Sequence, residues 1–186
     1  MNGLKLAFIG FLILSVVIIG SAAAVIAFYS QQLPSVETLK DVQLQTPLKV
    51  FTRDNKLIAV FGEKRRIPLA SDEMPVRLVN AFLAAEDDRF FSHPGVDYQG
   101  IVRAGIKLIT TGRKAQGGST ITMQLARNFF LTPERTYTRK IKEILLALRI
   151  EKMLTKHEIL ELYLNKIYLG QRAYGVDAAA GVYYGK

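Results

Sequence analysis

The chain has 186 residues, among them 25 lysines and arginines against 16 aspartates and glutamates, which gives a net charge of +9. This length accommodates one membrane segment and one modest domain with a real core. The chain contains no cysteine, which excludes disulfides and thiolate metal sites. The basic excess suits nucleic acid, anionic lipid or a phosphorylated substrate, and composition alone does not choose among them.

The N-terminus carries an apolar run, Leu6–Tyr29, of about 24 uncharged residues against the ~20 that cross a bilayer. Lys5 and the amino terminus flank it, so the positive-inside tendency keeps the N-terminus cytoplasmic and exports the rest. A cleaved signal peptide is the alternative, because Ala22–Ala24 offers a cleavage site. The apolar run continues through Val25–Tyr29, which favours an uncleaved anchor. Export argues against a nucleic-acid partner and for phospholipid or a lipid-linked phosphate.

These features predict a cytoplasmic segment 1–5, an anchor 6–29, a juxtamembrane linker 30–47 and an exported domain 48–186. Within the domain, Leu48–Thr52 and Leu57–Phe61 flank a polar turn and predict a small β hairpin. The pattern after Pro75 is helical, and the first helix is expected to run to about Phe91. The domain is therefore predicted to be mainly α.

Three further helices have recognisable starts. Ser119 is expected to cap a helix that runs to about Phe130, after a polar loop from Thr110 to Gly118. Thr132–Glu134 is expected to open a long helix that carries Ile141, Ile144, Leu145 and Leu148 on one face. Thr155–Glu158 has the form of a capping box, which predicts a helix through about Lys166.

Glu86 stands at the end of the first helical run, in the segment Ala84–Gly95. Helical spacing places Glu86 on a stripe with Val79, Leu83 and Phe90, whereas the neighbouring aspartates point elsewhere. A carboxylate on an apolar stripe loses hydration, which makes it a usable proton acceptor near neutral pH. A solvated acidic helix end is the alternative, and this segment alone leaves both interpretations open.

Two glycines, Gly117 and Gly118, precede the expected cap at Ser119. Such a segment exposes backbone N–H groups at the positive end of a helix dipole, where a phosphate or another anion can bind. It is not a nucleotide P-loop, because the Gly-Lys-Ser/Thr ending is missing. An ordinary glycine-rich turn with a helix cap is the alternative.

A run of charges follows on the long helix. Arg135, Arg139 and Lys142 share one side, and Lys140 and Glu143 form an i,i+3 pair on an adjacent side. A solvated charged face is the usual explanation. Beside an anion-binding turn, the same run also suits a clamp for a pyrophosphate.

The segment Lys156–Gly170 is assigned a structural role, with Asn165 expected to end its helix. The two histidines, His93 and His157, lie in different elements and have no companion at metal-ligand spacing. The sequence therefore indicates no histidine metal site.

Taken in order, five segments resemble the successive motifs of glycosyltransferase family 51, the glycosyltransferase domain of peptidoglycan synthases. They are Glu86–Phe90 with His93–Gly95, Gly118–Gln124, Arg139–Glu143, Ile159–Leu160 with Tyr163–Asn165, and Arg172–Val176 with Ala178–Ala180. Each motif alone is weak, but five in order with compatible spacing are specific. The whole chain, including the anchor and Gly62–Pro68, resembles the start of a class A penicillin-binding protein of the 1A type.

The resemblance implies a lysozyme-like α-helical fold and polymerisation of lipid II into β-1,4 glycan strands at the bacterial inner membrane. In this family the glutamate at the position of Glu86 removes the proton from the acceptor 4-hydroxyl. The residue matching Glu143 assists at the diphosphate, where a divalent cation (Mg²⁺ or Mn²⁺) is a candidate cofactor. The positions implied to contact substrate or diphosphate are Gly118, Ser119, Thr120, Gln124, Arg127, Arg139 and Lys140.

Two positions depart from the family pattern: Met123 stands where glutamine is frequent, and Arg127 stands where lysine is frequent. The apolar stretch from Ile101 to Leu108 matches a region that dips into the membrane. The partners implied are lipid II, the growing glycan strand and membrane lipid, with cell-wall synthesis proteins and a second copy of the chain as candidates.

Two other functions are weighed against the synthase. A lysozyme-like lytic enzyme would need a catalytic acid but no basic helix face, and a non-catalytic anchor would tolerate loss of Glu86. The sequence ends within the region that matches the last motif, so the domain is expected to be incomplete at its C-terminus. A following transpeptidase domain is expected, with a monofunctional glycosyltransferase as the alternative.

Overall fold

The computed structural model describes residues 2–40, 48–61, 68–112, 118–134 and 136–185. It separates into two compact units, Met1–Pro34 and Ser35–Lys186. The first unit is a single helix, α1 (Asn2–Gln31). Its segment Ala7–Gln31 has 25 residues and a mean hydropathy of 2.7, so it is long and apolar enough to cross a membrane. The predicted N-terminal helix is confirmed, and its insertion stays a prediction.

The second unit begins with a short 3₁₀ turn at Glu37–Leu39. Val36, just before the turn, and Leu39, within it, are both buried. The predicted linker 30–47 is therefore partly folded, and its residues 41–47 lie outside the described ranges. The hairpin follows: β1 (Leu48–Phe51) pairs antiparallel with β2 (Leu57–Phe61). The hairpin prediction is confirmed.

The remaining described residues of the second unit are mainly helical, which confirms the prediction of a mainly α domain. Its helices are α2 (Val76–Glu86), α3 (Tyr98–Thr111), α4 (Ile121–Phe130), α5 (Tyr137–Met153), α6 (Lys156–Lys166) and α7 (Val176–Tyr184). The capping box predicted for α6 is present: Thr155 accepts from the Glu158 N–H while the Glu158 carboxylate accepts from the Thr155 N–H.

Three predicted helix boundaries are wrong. Helix α2 ends at Glu86 rather than near Phe91, because Asp87 leaves the helical conformation and turns its carboxylate inward. The cap of α4 is Thr120 rather than Ser119, and its side chain accepts from the Met123 N–H. Helix α5 begins after Thr136, which caps it by accepting from the Arg139 N–H.

Helix α4 lies at the centre of the core and packs against α5 and α6. The largest fully buried side chains here include Ile121, Met123, Leu125, Leu146, Ile150, Ile159 and Leu164. The apolar face of α5 that the sequence indicates is only partly buried, with Leu148 exposed, and the fully buried residues of the helix are Glu143, Leu146, Ala147 and Ile150. A buried charge lies on that face, which apolar periodicity does not reveal.

Asn165 does not end α6, which continues to Lys166. Its buried side-chain amide instead donates to the Leu69 carbonyl at 2.7 Å and accepts from the Leu69 N–H at 2.8 Å. The structural role assigned to this segment is thus filled by a contact with a distant part of the chain.

Candidate active site

A cleft opens between the end of α2, one side of α3 and the segment that leads into α4. Four residues predicted for the site line it together: Glu86, Gly118, Ser119 and Thr120. The cleft also receives Arg103 and Lys107 from α3, two cations that the sequence reasoning left without a role. The cleft is thus lined by four acidic residues, Glu86, Asp87, Asp88 and Asp97, together with the two cations of α3.

Glu86 is the last residue of α2, and its side chain is exposed. Of the two interpretations that the sequence left open, the solvated helix end is the one observed, and Val79 and Leu83 on the same stripe are themselves only half-buried. Its Oε2 accepts a hydrogen bond from Nε2 of Gln124 at 2.8 Å. Gln124, which the resemblance places at the diphosphate, thus contacts the candidate base.

Asp87 and His93 form a buried pair behind Glu86. Nε2 of His93 lies 2.9 Å from Oδ1 and 3.0 Å from Oδ2 of Asp87, while Nδ1 accepts from the Gly95 N–H at 3.2 Å. Because Nδ1 accepts, the ring proton belongs on Nε2, where it faces the carboxylate. The pair fixes the loop that follows α2, directly next to Glu86.

Asp87 also occupies the N-terminus of α4. Its Oδ2 accepts from the Ile121 N–H at 3.0 Å, so this helix end already holds a carboxylate from within the chain. Thr120 is buried, and its hydroxyl donates to the Gly95 carbonyl at 2.5 Å. The predicted anion-binding turn therefore offers Gly118 and Ser119 to the cleft, whereas the Thr120 side chain faces the core.

A second buried network supports the same loop. Nζ of Lys156 donates to the His93 carbonyl at 2.7 Å and to Oε1 of Glu151 at 2.8 Å. Thr122 donates to the same Glu151 oxygen at 2.6 Å. Sequence reasoning missed Asp87, His93 and Lys156 in this role, and the one local signal was an aspartate followed six residues later by a histidine.

The basic helix face is organised by a buried carboxylate. Glu143 is 1% exposed, and its Oε1 accepts from Arg139 while its Oε2 accepts from Lys140 Nζ at 3.0 Å. The predicted pairing of Lys140 with Glu143 is confirmed. Lys140 also donates to Oγ of Ser119 at 2.6 Å, so the basic helix and the turn before α4 are joined.

The other residues that the sequence singled out either do not line the cleft or lie outside the described ranges. Arg127 lies half-buried on α4, one turn after Gln124, and is not among the residues that line the cleft. Gln116, Gly117 and Arg135 lie outside the described residues.

The groups at this site do not fit a divalent cation held by the protein. Both oxygens of Glu143 already accept from cationic side chains. Within the described part of the chain, no cluster of three or more histidine, aspartate or glutamate side chains could hold a metal ion.

A helical domain whose cleft holds an exposed glutamate and two cations, joined through Ser119 to a basic helix face ordered by Glu143, has groups that suit transfer from a phosphorylated donor. The chain belongs to the transglycosylase family, whose model matches residues 54–186, which confirms the resemblance inferred from the five motifs.

Its relatives include penicillin-binding protein 1A of Escherichia coli (strain K12), 59% identical over 180 residues, 95% of this chain and 21% of that protein. Penicillin-binding protein 1A of Pseudomonas aeruginosa is 59% identical over 159 residues, 86% of this chain and 19% of that protein. The chain thus spans about a fifth of the length of these relatives.

Among solved structures, the 2.6 Å crystal structure of penicillin-binding protein 1A from Haemophilus influenzae is 31% identical and covers 78% of this chain. This chain covers 12% of that structure's chain, and the TM-score is 0.31.

Proposed function

We propose that this chain is the anchor and glycosyltransferase portion of a peptidoglycan synthase, which polymerises lipid II into β-1,4 glycan strands and releases undecaprenyl diphosphate. The observation that carries the proposal is the placement of exposed Glu86 in the same cleft as Ser119, which Lys140 contacts. Family membership and the names of the relatives support it.

The residues suit the two halves of this reaction. A diphosphate leaving group is already a stable anion and needs its charge neutralised, for which Arg139 and Lys140 are held in place by Glu143. The acceptor is a neutral sugar hydroxyl and needs a base on the opposite side of the anomeric carbon, for which Glu86 is available. Direct displacement then inverts an α-linked donor to a β product.

The anchor and α3 suit a substrate that resides in a membrane. Val102, Ile106 and Ile109 are exposed at helical spacing on α3, and Ile109 is 85% exposed. Arg103 follows Val102 and Lys107 follows Ile106 in the sequence, and both cations line the cleft. We propose that the apolar side lies in the outer surface of the inner membrane, with the N-terminus of α1 in the cytoplasm.

Three further parts of the proposal rest on the resemblance alone. A transpeptidase domain follows the glycosyltransferase, so that the whole protein is a bifunctional synthase. Other cell-wall synthesis proteins and a second copy of the chain are its candidate partners. Mg²⁺ or Mn²⁺ stays a candidate cofactor, and because the protein ligands do not fit, such an ion would have to be held by the diphosphate itself.

The test is polymerisation of labelled lipid II by the native-length protein in detergent, with the products separated on a gel. We expect long strands from wild type and a loss of about 10²–10⁴ in rate for Glu86→Gln. Asp72→Asn, which removes an exposed carboxylate outside the cleft, is the matched control and should polymerise normally. Degradation of purified sacculi without polymerisation would indicate the lytic enzyme. A Glu86→Gln variant that supports cell growth would indicate the anchor.

A further inference from the structure

We propose that Tyr163 and Gln124 position the catalytic base: the Tyr163 hydroxyl orients the Gln124 amide, which in turn holds one oxygen of Glu86. Gln124 then serves the base rather than the diphosphate, and Tyr163 on α6 acts through it. This inference rests on the function proposed above.

The three side chains form one hydrogen-bonded chain across three helices. Nε2 of Gln124 on α4 donates to Oε2 of Glu86 at 2.8 Å, and Oε1 of Gln124 accepts from the Tyr163 hydroxyl at 3.4 Å. An ionised carboxylate only accepts, so the amide must present its NH₂ group to Glu86. The amide oxygen must then face Tyr163, which has to be the donor.

Tyr163 is suited to remain a donor. Its side chain is fully buried, and a buried phenol normally requires a hydrogen-bond partner. Burial raises the pKa of Tyr163 far above its ordinary value, and the nearby charge of Glu86 raises it further against the opposing effect of Arg127. The hydroxyl therefore stays protonated at neutral pH and can donate to Gln124.

Tyr163 also contacts the helix that carries the base. Its ring meets Phe82 edge to face, with the ring centroids 6.4 Å apart. Phe82 lies one turn before Glu86 on α2. Tyr163 therefore acts on α2 in two ways: its ring packs against Phe82, and its hydroxyl acts on the Glu86 carboxylate through Gln124. It thereby sets both the position of the helix end and the orientation of the Glu86 side chain.

The consequence for catalysis concerns the second oxygen of Glu86. With Oε2 held by Gln124, Oε1 makes no hydrogen bond to any described part of the chain and can accept the proton of a sugar hydroxyl. An exposed glutamate without this restraint would sample several rotamers, few of them aligned for proton removal. Loss of the restraint should lower kcat and leave KM for lipid II nearly unchanged. A residue that binds the donor diphosphate should instead raise KM.

The experiment measures kcat and KM for lipid II with the native-length protein in detergent. Tyr163→Phe removes only the hydroxyl, and we expect kcat to fall about 3- to 10-fold, the range of one neutral hydrogen bond. Gln124→Ala should lower kcat further. In the Gln124→Ala background, Tyr163→Phe should cause no additional loss, because its effect passes through the amide. Tyr168→Phe, an exposed tyrosine outside the site, is the matched control.

One further measurement and one further variant keep a folding defect separate from a positioning defect. The thermal midpoint of each variant is recorded, and Gln124→Asn keeps the amide but is too short to span both partners, so its kcat should fall as in Gln124→Ala. Equal kcat in wild type and Tyr163→Phe, additive losses in the double variant, or a rise in KM alone would each overturn the inference while leaving the synthase intact. Absence of polymer from folded wild type would overturn the proposed function and this inference with it.

Discussion

Two adjacent carboxylates at the end of α2 have opposite surroundings. Glu86 is exposed, whereas Asp87 is 7% exposed and accepts hydrogen bonds from His93 and the Ile121 N–H. The difference arises because the helix ends between them: Asp87 adopts an extended φ of −162° and directs its side chain inward. Asp87 therefore fixes the backbone at the end of α2, and this leaves the Glu86 side chain exposed in the cleft.

The buried pair predicts a stability effect. Asp87→Ala leaves the His93 ring and the Ile121 N–H without their acceptor, and it should lower the free energy of unfolding by about 1–3 kcal/mol. Asp88→Ala, an exposed neighbour, should change it by no more than about 0.5 kcal/mol. Urea unfolding of the two variants, followed by circular dichroism, compares them, and similar midpoints would contradict the proposed role of the pair.

Glu143 gives a second prediction for a single residue. Its charge holds Arg139 and Lys140, and Lys140 in turn contacts Ser119 at the cleft. We expect Glu143→Gln to lower kcat/KM for lipid II about 10- to 100-fold, the range of a lost hydrogen bond to a charged group. Steady-state polymerisation rates at several lipid II concentrations measure this. An unchanged kcat/KM would show that the cations keep their places without the carboxylate.

At the scale of elements, close contacts determine how the loop after α2 lies against α5. Gly95 has a φ of +90°, and a Cβ placed there would lie 2.8 Å from Cγ of Glu151 and 3.0 Å from the Ala147 carbonyl oxygen. Both the backbone conformation and the space require glycine, because an L side chain would be strained and would also collide with α5.

A comparison of Gly95 with Gly112 separates the effect of backbone strain from the effect of the collision with α5. Gly112 ends α3 with a φ of +63°, but a Cβ there would meet no atom of the described residues within 4 Å. Gly112→Ala should lose about 1–2 kcal/mol of stability from backbone strain alone. Gly95→Ala should lose about 1–3 kcal/mol more from overpacking, and its polymerisation rate should fall. Equal thermal midpoints for the two variants would show that α5 moves aside to accept the methyl group.

The start of α6 predicts a dependence on pH. The Thr155 N–H and hydroxyl both donate to Glu158 and hold the pKa of that carboxyl below its ordinary value of 4.5. A lowered folded-state pKa means that this contribution to stability is complete above about pH 4.5 and is lost as the pH falls through the folded-state pKa. The difference in thermal midpoint between wild type and Glu158→Gln should therefore shrink on acidification below pH 4.5. A constant difference from neutral to acidic pH would contradict this.

A feature could be predicted from the sequence when it depends only on residues a few positions away along the chain. The hairpin and the Thr155–Glu158 capping box depend on residues a few positions apart, so local pattern was sufficient. The end of α2 and the role of Asn165 depend on partners far along the chain, Ile121 and Leu69, and local pattern gave the wrong answer for both.

The candidate site likewise has a part that the sequence motifs predicted and a part that depends on how the helices pack. The motifs identified Glu86, Ser119 and Lys140, and the structure brings these three to one cleft or to direct contact. The contact between Glu86 and Gln124 joins α2 to α4, and the burial of Glu143 depends on the packing of α5 against α4. Hydrophobic periodicity carries no information on which polar side chains meet across helices.

For the molecule as a whole, the anchor interpretation makes a prediction about the mature protein. If α1 stays attached as a transmembrane helix, N-terminal sequencing of membrane-purified protein should recover the start of the chain. A mature N-terminus at Val25 would instead show cleavage after Ala24 and would leave α3 as the apolar surface described above. Carbonate extraction provides the control, since a spanning helix remains with the membrane pellet.

The amide of Asn165 donates to and accepts from the backbone of Leu69, as a neighbouring strand would. The two residues are 96 positions apart, so the contact imposes an order on assembly during synthesis from the N-terminus. Leu69 leaves the ribosome well before α6 exists, and its N–H and carbonyl do not meet these partners until Asn165 is made. This early segment is consequently fixed against α6 only late in assembly.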